Sequence, residues 1–175
     1  MSASYRAGDR AGRCFLFLQG PHGRFFTRLG EELARQGHRV RRINLNGGDR
    51  ASWPGGDDYH GLERGWPGHV ARYMARHRIS DLVVFGDGRP AHAAAITQAR
   101  SAGVRVHVFE EGYVRPDWIT LERDGVNGHS TLPRDPAWYL RAAEGLPPPP
   151  DHPPVPGFAT ARGWAAAFYL SLIHI

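Results

Sequence analysis

Two adjacent glutamates, Glu110 and Glu111, are the residues of this sequence most suited to chemistry. Carboxyl groups in a partly buried crevice act as acids or bases, or attack an anomeric carbon as nucleophiles. Because the two residues are adjacent, we expect their carboxylates to share one crevice and to repel each other. Gly112 lets the backbone approach a ligand, and Arg115 can pair with a sugar carboxylate or with Glu111. The residue types alone favour a simpler explanation, in which Glu110 caps a turn and Glu111 is a solvated loop charge.

A glycine-containing loop near the start of the chain, residues 19–23 (QGPHG), offers Gln19, Gly20 and His22 as substrate-binding candidates. The loop follows one predicted strand and opens a predicted helix, and a helix N-terminus at the carboxyl end of a parallel strand favours anions. Its spacing matches neither the dinucleotide-binding fingerprint nor a P-loop. A loop in which glycine and proline simply turn the chain explains it equally well.

A second loop, residues 86–92 (GDGRPAH), stands in the same relation to a later strand. Asp87 either caps the helix that follows or binds substrate. Arg89 and His92 would lie near the same edge of the sheet and could bind an acidic acceptor. None of these residues is specific on its own.

Two polar residues further along, Asn127 and His129, could reach the same crevice as the glutamates. The ten histidines of the chain show no paired ligand spacing. We therefore predict substrate binding by Asn127 and His129, and no metal site.

Alternating strands and helices would bring these loops together. Short apolar runs predict the strands, and apolar residues at helical spacing predict the helices. The predicted strands cover residues 13–18, 39–45, 81–85 and 104–109, and the predicted helices cover residues 24–36, 67–77 and 90–102. This alternation is typical of an α/β, Rossmann-like, doubly wound parallel sheet, in which ligands bind at the carboxyl ends of the strands.

Two segments break the alternation. Residues 46–61 are rich in glycine and predict a loop. The pair Asp124-Gly125 predicts a hairpin that joins a strand at residues 119–122 to one beginning at Val126.

The chain divides into four predicted parts. Residues 1–12 are expected to be disordered, and residues 13–145 to form the Rossmann-like domain, which ends in a short helix at residues 136–144. Residues 146–157 predict a proline-rich linker, and residues 158–175 the start of a truncated C-terminal region. Because the chain stops within an apolar stretch that has no helix-ending residue, we expect it to be the N-terminal part of a longer protein.

Composition narrows the class of partner. The net charge of +5 comes almost entirely from arginine, which suits a nucleotide, a lipid headgroup or an acidic sugar, although a genome rich in arginine codons is the simpler cause. The arginines are scattered and no aromatic–basic motif occurs, which argues against nucleic acid. The apolar run at residues 14–18 is too short to span a membrane, so we expect any membrane contact to be peripheral. The single cysteine, Cys14, excludes an internal disulfide.

A longer pattern surrounds the glutamates. Residues 109–122 (FEEGYVRPDWITLE), followed by residues 125–130 (GVNGHS), closely resemble the capsule polysaccharide biosynthesis/export family, nearest to its S-type members. Residues 18–26 and 85–90 resemble further segments of that family. The likeness spans roughly residues 14–139, which makes it more specific than any single motif.

The resemblance implies a retaining β-Kdo glycosyltransferase with a GT-B-like pair of Rossmann domains, of which this chain is the N-terminal half. The donor substrate would be CMP-Kdo, with no cofactor, and the acceptor a phosphatidylglycerol-type lipid at the cytoplasmic face of the inner membrane, among other capsule assembly proteins. Glu110 and Glu111 fall on the acidic-acidic-glycine motif of related enzymes, and Glu111 is favoured as the reacting carboxylate. The C-terminal domain of such enzymes holds most of the donor nucleotide, so we expect this chain to be inactive alone.

Two alternatives of other classes stay open. The protein could be a non-catalytic component of capsule export or assembly. It could also be a nucleotide-binding α/β domain of unrelated activity, in which case a dinucleotide would bind over residues 19–23.

Overall fold

The computed structural model describes residues 12–112 and 118–148. The predictions for residues 1–11 and 149–175, and the role given to Arg115, lie outside these residues. The strands are β1 (Cys14–Phe17), β2 (Arg39–Asn44), β3 (Asp57–Asp58), β4 (Asp81–Phe85), β5 (Arg105–Glu111) and β6 (Ile119–Arg123). The helices are α1 (Phe25–Arg35), α2 (Gly47–Ser52), α3 (Trp66–His77), α4 (Pro90–Ser101) and α5 (Pro136–Ala143), with 3-10 turns at Glu63–Gly65 and Asn127–His129.

The six strands form one sheet in the order β3-β2-β1-β4-β5-β6. The first five are parallel, and β6 runs antiparallel to β5. The strand order reverses between β1 and β4, so the loops that follow these two strands face each other at the carboxyl edge of the sheet. The predicted Rossmann-like α/β fold is confirmed.

Strand β1 shows how the sheet divides the core. Cys14 and Leu16 pack with apolar residues of α3 and α4, whereas Phe15 and Phe17 pack with residues of α1. Successive residues of a strand point to opposite faces, so each face of β1 meets a different layer of helix. We call these the α3–α4 face and the α1 face of the sheet.

The loop predicted at residues 46–61 is wrong in part, because it contains α2 and β3. Asn46 Oδ1 accepts a hydrogen bond from the Asp49 N–H at 3.0 Å, and Asp49 Oδ2 accepts one from the Leu45 N–H at 2.9 Å. These bonds satisfy backbone donors at the start of α2, much as a capping box does. The glycines between the two residues hid that signal.

The hairpin predicted at Asp124-Gly125 is also wrong. Strand β6 pairs with the preceding strand β5, with Glu111 opposite Ile119 and His107 opposite Arg123. No strand follows Asp124 in the described part of the chain; Val126 is instead fully buried in the core of the α3–α4 face. Its burial directs the backbone inward, away from an extended path alongside β6.

At the amino edge of the sheet, the carboxylate of Asp81 is fully buried among polar partners. Arg13 Nε and Ser80 Oγ donate to it at 2.8 and 2.7 Å, Arg105 Nε donates at 3.1 Å, and His107 Nε2 lies at 2.8 Å. Burial alone would raise the pKa of Asp81. Hydrogen bonds from His107, Arg13 and Ser80 outweigh burial and hold that pKa well below its usual range.

Candidate functional site

A cavity of about 770 Å³ opens at the carboxyl edge of the sheet, beside the loops that follow β1 and β4. Its polar lining residues include Gln19, His22 and Arg89, three of the residues predicted from the sequence to bind substrate. The volume lies within the range of small-molecule sites. The structure therefore brings two separate loops of the sequence to one cavity.

The apolar wall of the cavity comes from residues that the sequence did not single out. Tyr59 and Trp66 line it, and their ring centroids lie 5.0 Å apart. Trp66 Nε1 donates to the Ala91 carbonyl at 2.7 Å, and Tyr59 Oη donates to the Leu62 carbonyl at 2.6 Å, so both rings are held in place. The sequence feature that could have pointed to this wall is the pair of aromatic residues on either side of residues 60–65. Such a pair is equally typical of ordinary core packing.

Arg89 brings positive charge to this cavity. Its guanidinium donates to the neutral side-chain oxygen of Gln19. Among the described residues, no carboxylate lies within salt-bridge distance of Arg89. Glu63 also lines the cavity, but not within salt-bridge distance of Arg89. The guanidinium is therefore oriented by a neutral partner, which suits a phosphate or a sugar carboxylate.

The two glutamates are separated by the sheet. Strand β5 runs through Glu111, two residues further than predicted. Val108 packs on the α3–α4 face and Phe109 on the α1 face, so the alternation places Glu110 on the former and Glu111 on the latter. The expectation that both carboxylates share one crevice is wrong.

Glu110 flanks the loop that follows β4. A Cβ atom at Gly86 would lie 3.5 Å from Glu110 Oε2, and Glu110 Oε1 accepts from the Glu111 N–H at 2.9 Å. Glu110 is not among the residues that line the cavity, and it lies one strand further along the same edge and face. It is therefore Glu110, and not Glu111, that lies on the face of Arg89 and the cavity.

Asp87 does not cap α4, so that structural alternative is wrong. The N-cap residue of α4 is Arg89, and no side chain bonds to the first turn there. Asp87 Oδ2 instead accepts from the Val126 N–H at 3.0 Å and lies 3.1 Å from His129 Nδ1. The structure thus joins Asp87 to the turn that carries Asn127 and His129.

His92 is fully buried, so the expectation that it binds an acidic acceptor is wrong. Burial lowers its pKa to about 4, which keeps the imidazole neutral near pH 7. His92 Nδ1 lies 2.8 Å from the Gly86 carbonyl. In this structure His92 supports the loop that begins at Gly86, through its contact with the Gly86 carbonyl.

Packing against Phe26 explains why residue 20 is a glycine. A Cβ atom at this position would lie 2.7 Å from Cδ2 of Phe26, which is too close for any real side chain. The contact supports the interpretation of residues 19–23 as a tight turn. No contact in the structure assigns Gly20 to a ligand.

Comparisons with known proteins give the family of the chain. A family described as capsule polysaccharide biosynthesis protein matches residues 80–166, which include Asp87, Arg89, Glu110 and His129. The chain is 36% identical over 166 residues to the capsule polysaccharide export protein KpsS of Escherichia coli. It is also 36% identical over 170 residues to the capsule polysaccharide modification protein LipB of Neisseria meningitidis serogroup A. The chain belongs to the capsule polysaccharide biosynthesis family.

The matches cover 94% and 91% of the chain but only 42% and 40% of the two relatives. The chain thus spans about two fifths of the length of the curated relatives that it matches. The family resemblance identified from residues 109–122 is confirmed. Both relatives carry names tied to capsule polysaccharide, one to its export and one to its modification.

No helix in residues 12–112 and 118–148 is long and apolar enough to cross a membrane. No group of three or more His, Cys, Asp or Glu side chains in the same residues is arranged to hold a metal ion.

Proposed function

We propose that this member of the capsule polysaccharide family is a glycosyltransferase that moves Kdo from CMP-Kdo to a phosphatidylglycerol-type lipid, which starts the capsule linker. The observation that carries the proposal is the position of Glu110. A carboxylate stands at the carboxyl edge of a Rossmann-like sheet, on the same face as a large cavity whose lining includes Arg89. Ligands of open α/β sheets bind at this edge.

Glu110, in place of Glu111, is the carboxylate that we propose to react. It attacks the anomeric carbon of Kdo while the bond to the CMP phosphate breaks, and CMP leaves with the electron pair. The oxygen of the acceptor hydroxyl then attacks the same carbon, its proton passes to a base, and the bond to Glu110 breaks. Two such displacements retain the configuration of the sugar.

Arg89 and the cavity support the proposed kind of substrate. Kdo carries a carboxylate and a phosphatidylglycerol carries a phosphate, and either group suits a guanidinium whose hydrogen-bond partner, Gln19, is neutral. The apolar wall of Tyr59 and Trp66 suits a ligand that also has an apolar part. No cofactor is needed for these steps. We place the reaction at the cytoplasmic face of the inner membrane, by peripheral contact and beside other capsule assembly proteins.

The test uses full-length protein with CMP-Kdo and a phosphatidylglycerol acceptor, and measures both CMP release and glycolipid. Glu110→Gln should lower kcat by about 10³-fold or more, because it removes the nucleophile. Glu111→Gln is the matched control and should stay within about tenfold of wild type, since Glu111 lies on the other face. Turnover of Glu110→Gln at the wild-type rate would overturn the role of Glu110.

A second candidate is a non-catalytic component of capsule export or assembly. It is favoured by the name of the Escherichia coli relative, an export protein. The two candidates separate in one experiment. Well-folded full-length protein that releases no CMP with any acceptor, yet co-purifies with transporter subunits, would support assembly over catalysis.

A further inference from the structure

Asp87 and His129 form a carboxylate–imidazole pair at the carboxyl edge. Asp87 Oδ2 lies 3.1 Å from His129 Nδ1. The Asp87 side chain is 12% exposed, whereas the His129 side chain is 72% exposed. The carboxylate therefore lies behind the ring, and most of the imidazole faces solvent.

The turn that carries His129 is anchored on both sides. Val126 is fully buried, its N–H donates to Asp87 Oδ2 at 3.0 Å, and its carbonyl accepts from the His129 N–H at 2.9 Å. On the other side, Ser130 Oγ donates to the buried carboxylate of Glu122. An exposed imidazole on an anchored turn is held in one orientation, unlike a histidine on a free loop.

The pair also fixes which imidazole nitrogen carries the proton. An ionised carboxylate can only accept a hydrogen bond, so His129 Nδ1 must donate its proton to Asp87. The lone pair of a neutral His129 is then on Nε2. Among the described residues, no hydrogen bond to Nε2 occupies that lone pair. Nε2 is thus an oriented proton acceptor.

Asp87 belongs to the loop that Glu110 flanks. Asp87 directly follows Gly86, and Glu110 Oε2 lies 3.5 Å from the position that a Gly86 Cβ would take. Val126 belongs to the core of the α3–α4 face, which is also the face of Glu110. The loop that begins at Gly86 therefore borders the carboxylate proposed to react and carries the residue that orients the base.

We propose that His129 is the general base of the transfer reaction and that Asp87 is its positioning residue. The inference rests on the proposed function. In the second displacement, the acceptor hydroxyl gives its proton to His129 Nε2 while its oxygen bonds to the anomeric carbon. The bond from that carbon to Glu110 breaks, and Glu110 keeps the electron pair. His129 leaves the step as an imidazolium that is stabilised by Asp87.

The first test measures transfer by full-length His129→Gln, with His60→Gln as a matched control in an exposed loop. We expect His129→Gln to lower kcat by about 10²- to 10⁴-fold with little change in KM, because a general base acts in the transition state. Asp87→Asn should lower kcat as well. The double variant should be no slower than His129→Gln alone, since Asp87 acts through His129.

Asp87 also holds the Val126 N–H, so its variant could fail through misfolding. Nitrogen NMR of the imidazoles supplies an independent measurement. Wild-type His129 should show the tautomer protonated on Nδ1, and this preference should weaken in folded Asp87→Asn. A tautomer protonated on Nε2 in the wild-type protein would overturn the pair.

The outcomes separate the two proposals. Transfer by His129→Gln within about twofold of His60→Gln would overturn the base role and leave the glycosyltransferase intact. Absence of transfer by every variant, wild type included, would overturn the proposed function and the base role with it. Loss of transfer in His129→Gln but not in His60→Gln, with the expected tautomer, would support both.

Discussion

Asp81 and Glu110 lie on the neighbouring strands β4 and β5, at opposite edges of the same sheet, and their surroundings differ. Asp81 at the amino edge is fully buried and has partners on both carboxylate oxygens, among them Arg13, Arg105 and His107. Glu110 at the carboxyl edge is only partly buried and faces a glycine loop.

Arginine and histidine show the same contrast. At the amino edge, Arg13 and His107 both contact the carboxylate of Asp81. At the carboxyl edge, Arg89 donates to a neutral amide and His129 is largely exposed. Polar groups that are paired and buried contribute to stability, because removal of a partner leaves an uncompensated charge. Groups that are oriented but not saturated remain available to a ligand. The comparison predicts that the amino edge supports folding and the carboxyl edge supports function.

The largest expected effect is on stability. Asp81→Asn should lower the free energy of unfolding by about 3 kcal/mol, because it leaves the partly buried guanidinium groups of Arg13 and Arg105 without their carboxylate. Chemical denaturation followed by circular dichroism measures the change. Asp124→Asn, an isosteric change at an exposed position, is the control and should stay within about 0.5 kcal/mol of wild type. If Asp81→Asn lowered the free energy of unfolding as little as Asp124→Asn does, the assignment of the amino edge to folding would be wrong.

Removal of charge at the carboxyl edge should affect binding and leave stability unchanged. Arg89→Gln should raise the KM for the anionic substrate that it contacts by about 10- to 100-fold, the value of one or two charge-assisted hydrogen bonds. The free energy of unfolding should stay within about 0.5 kcal/mol. Arg28→Gln, at an exposed position of α1, is the matched control. A destabilised Arg89→Gln protein with normal KM would assign Arg89 to the fold.

The amino edge should also dominate the response to acid. The pKa of Asp81 is depressed in the folded protein, so its contribution to stability is complete above the unfolded pKa of about 3.9 and is lost as the pH falls below it. One such group gives a slope of at most about 1.4 kcal/mol per pH unit. Denaturation between pH 7 and pH 3 should show a smaller loss for Asp81→Asn than for wild type. Parallel pH profiles would contradict this assignment.

The smallest expected effect concerns the loop after β2 at the carboxyl edge. Asn46→Ala removes the side-chain acceptor that caps α2 and should cost about 1 kcal/mol, whereas Asn46→Asp keeps an acceptor and should cost less. Thermal unfolding of the two variants measures the difference. Equal stabilities would mean that the cap contributes nothing.

Most of the sheet was predictable from the sequence, since short apolar runs bounded by turn residues, such as residues 81–85, are typical of buried strands. The length of β5 was not, because Glu110 and Glu111 become strand residues only through pairing with Thr120 and Ile119 of β6. The separation of the two glutamates follows from that pairing. The Asp87–His129 contact joins residues 42 positions apart, and no local pattern encodes it.

The most direct test of Glu110 as the nucleophile is to locate the sugar on the protein itself. Full-length protein is mixed with CMP-Kdo without acceptor, quenched rapidly and digested, and the peptide that contains Glu110 and Glu111 is fragmented between the two residues in a mass spectrometer. If Glu110 is the nucleophile, one Kdo residue will be attached to Glu110. Kdo attached to Glu111, with Glu110 unmodified, would contradict it.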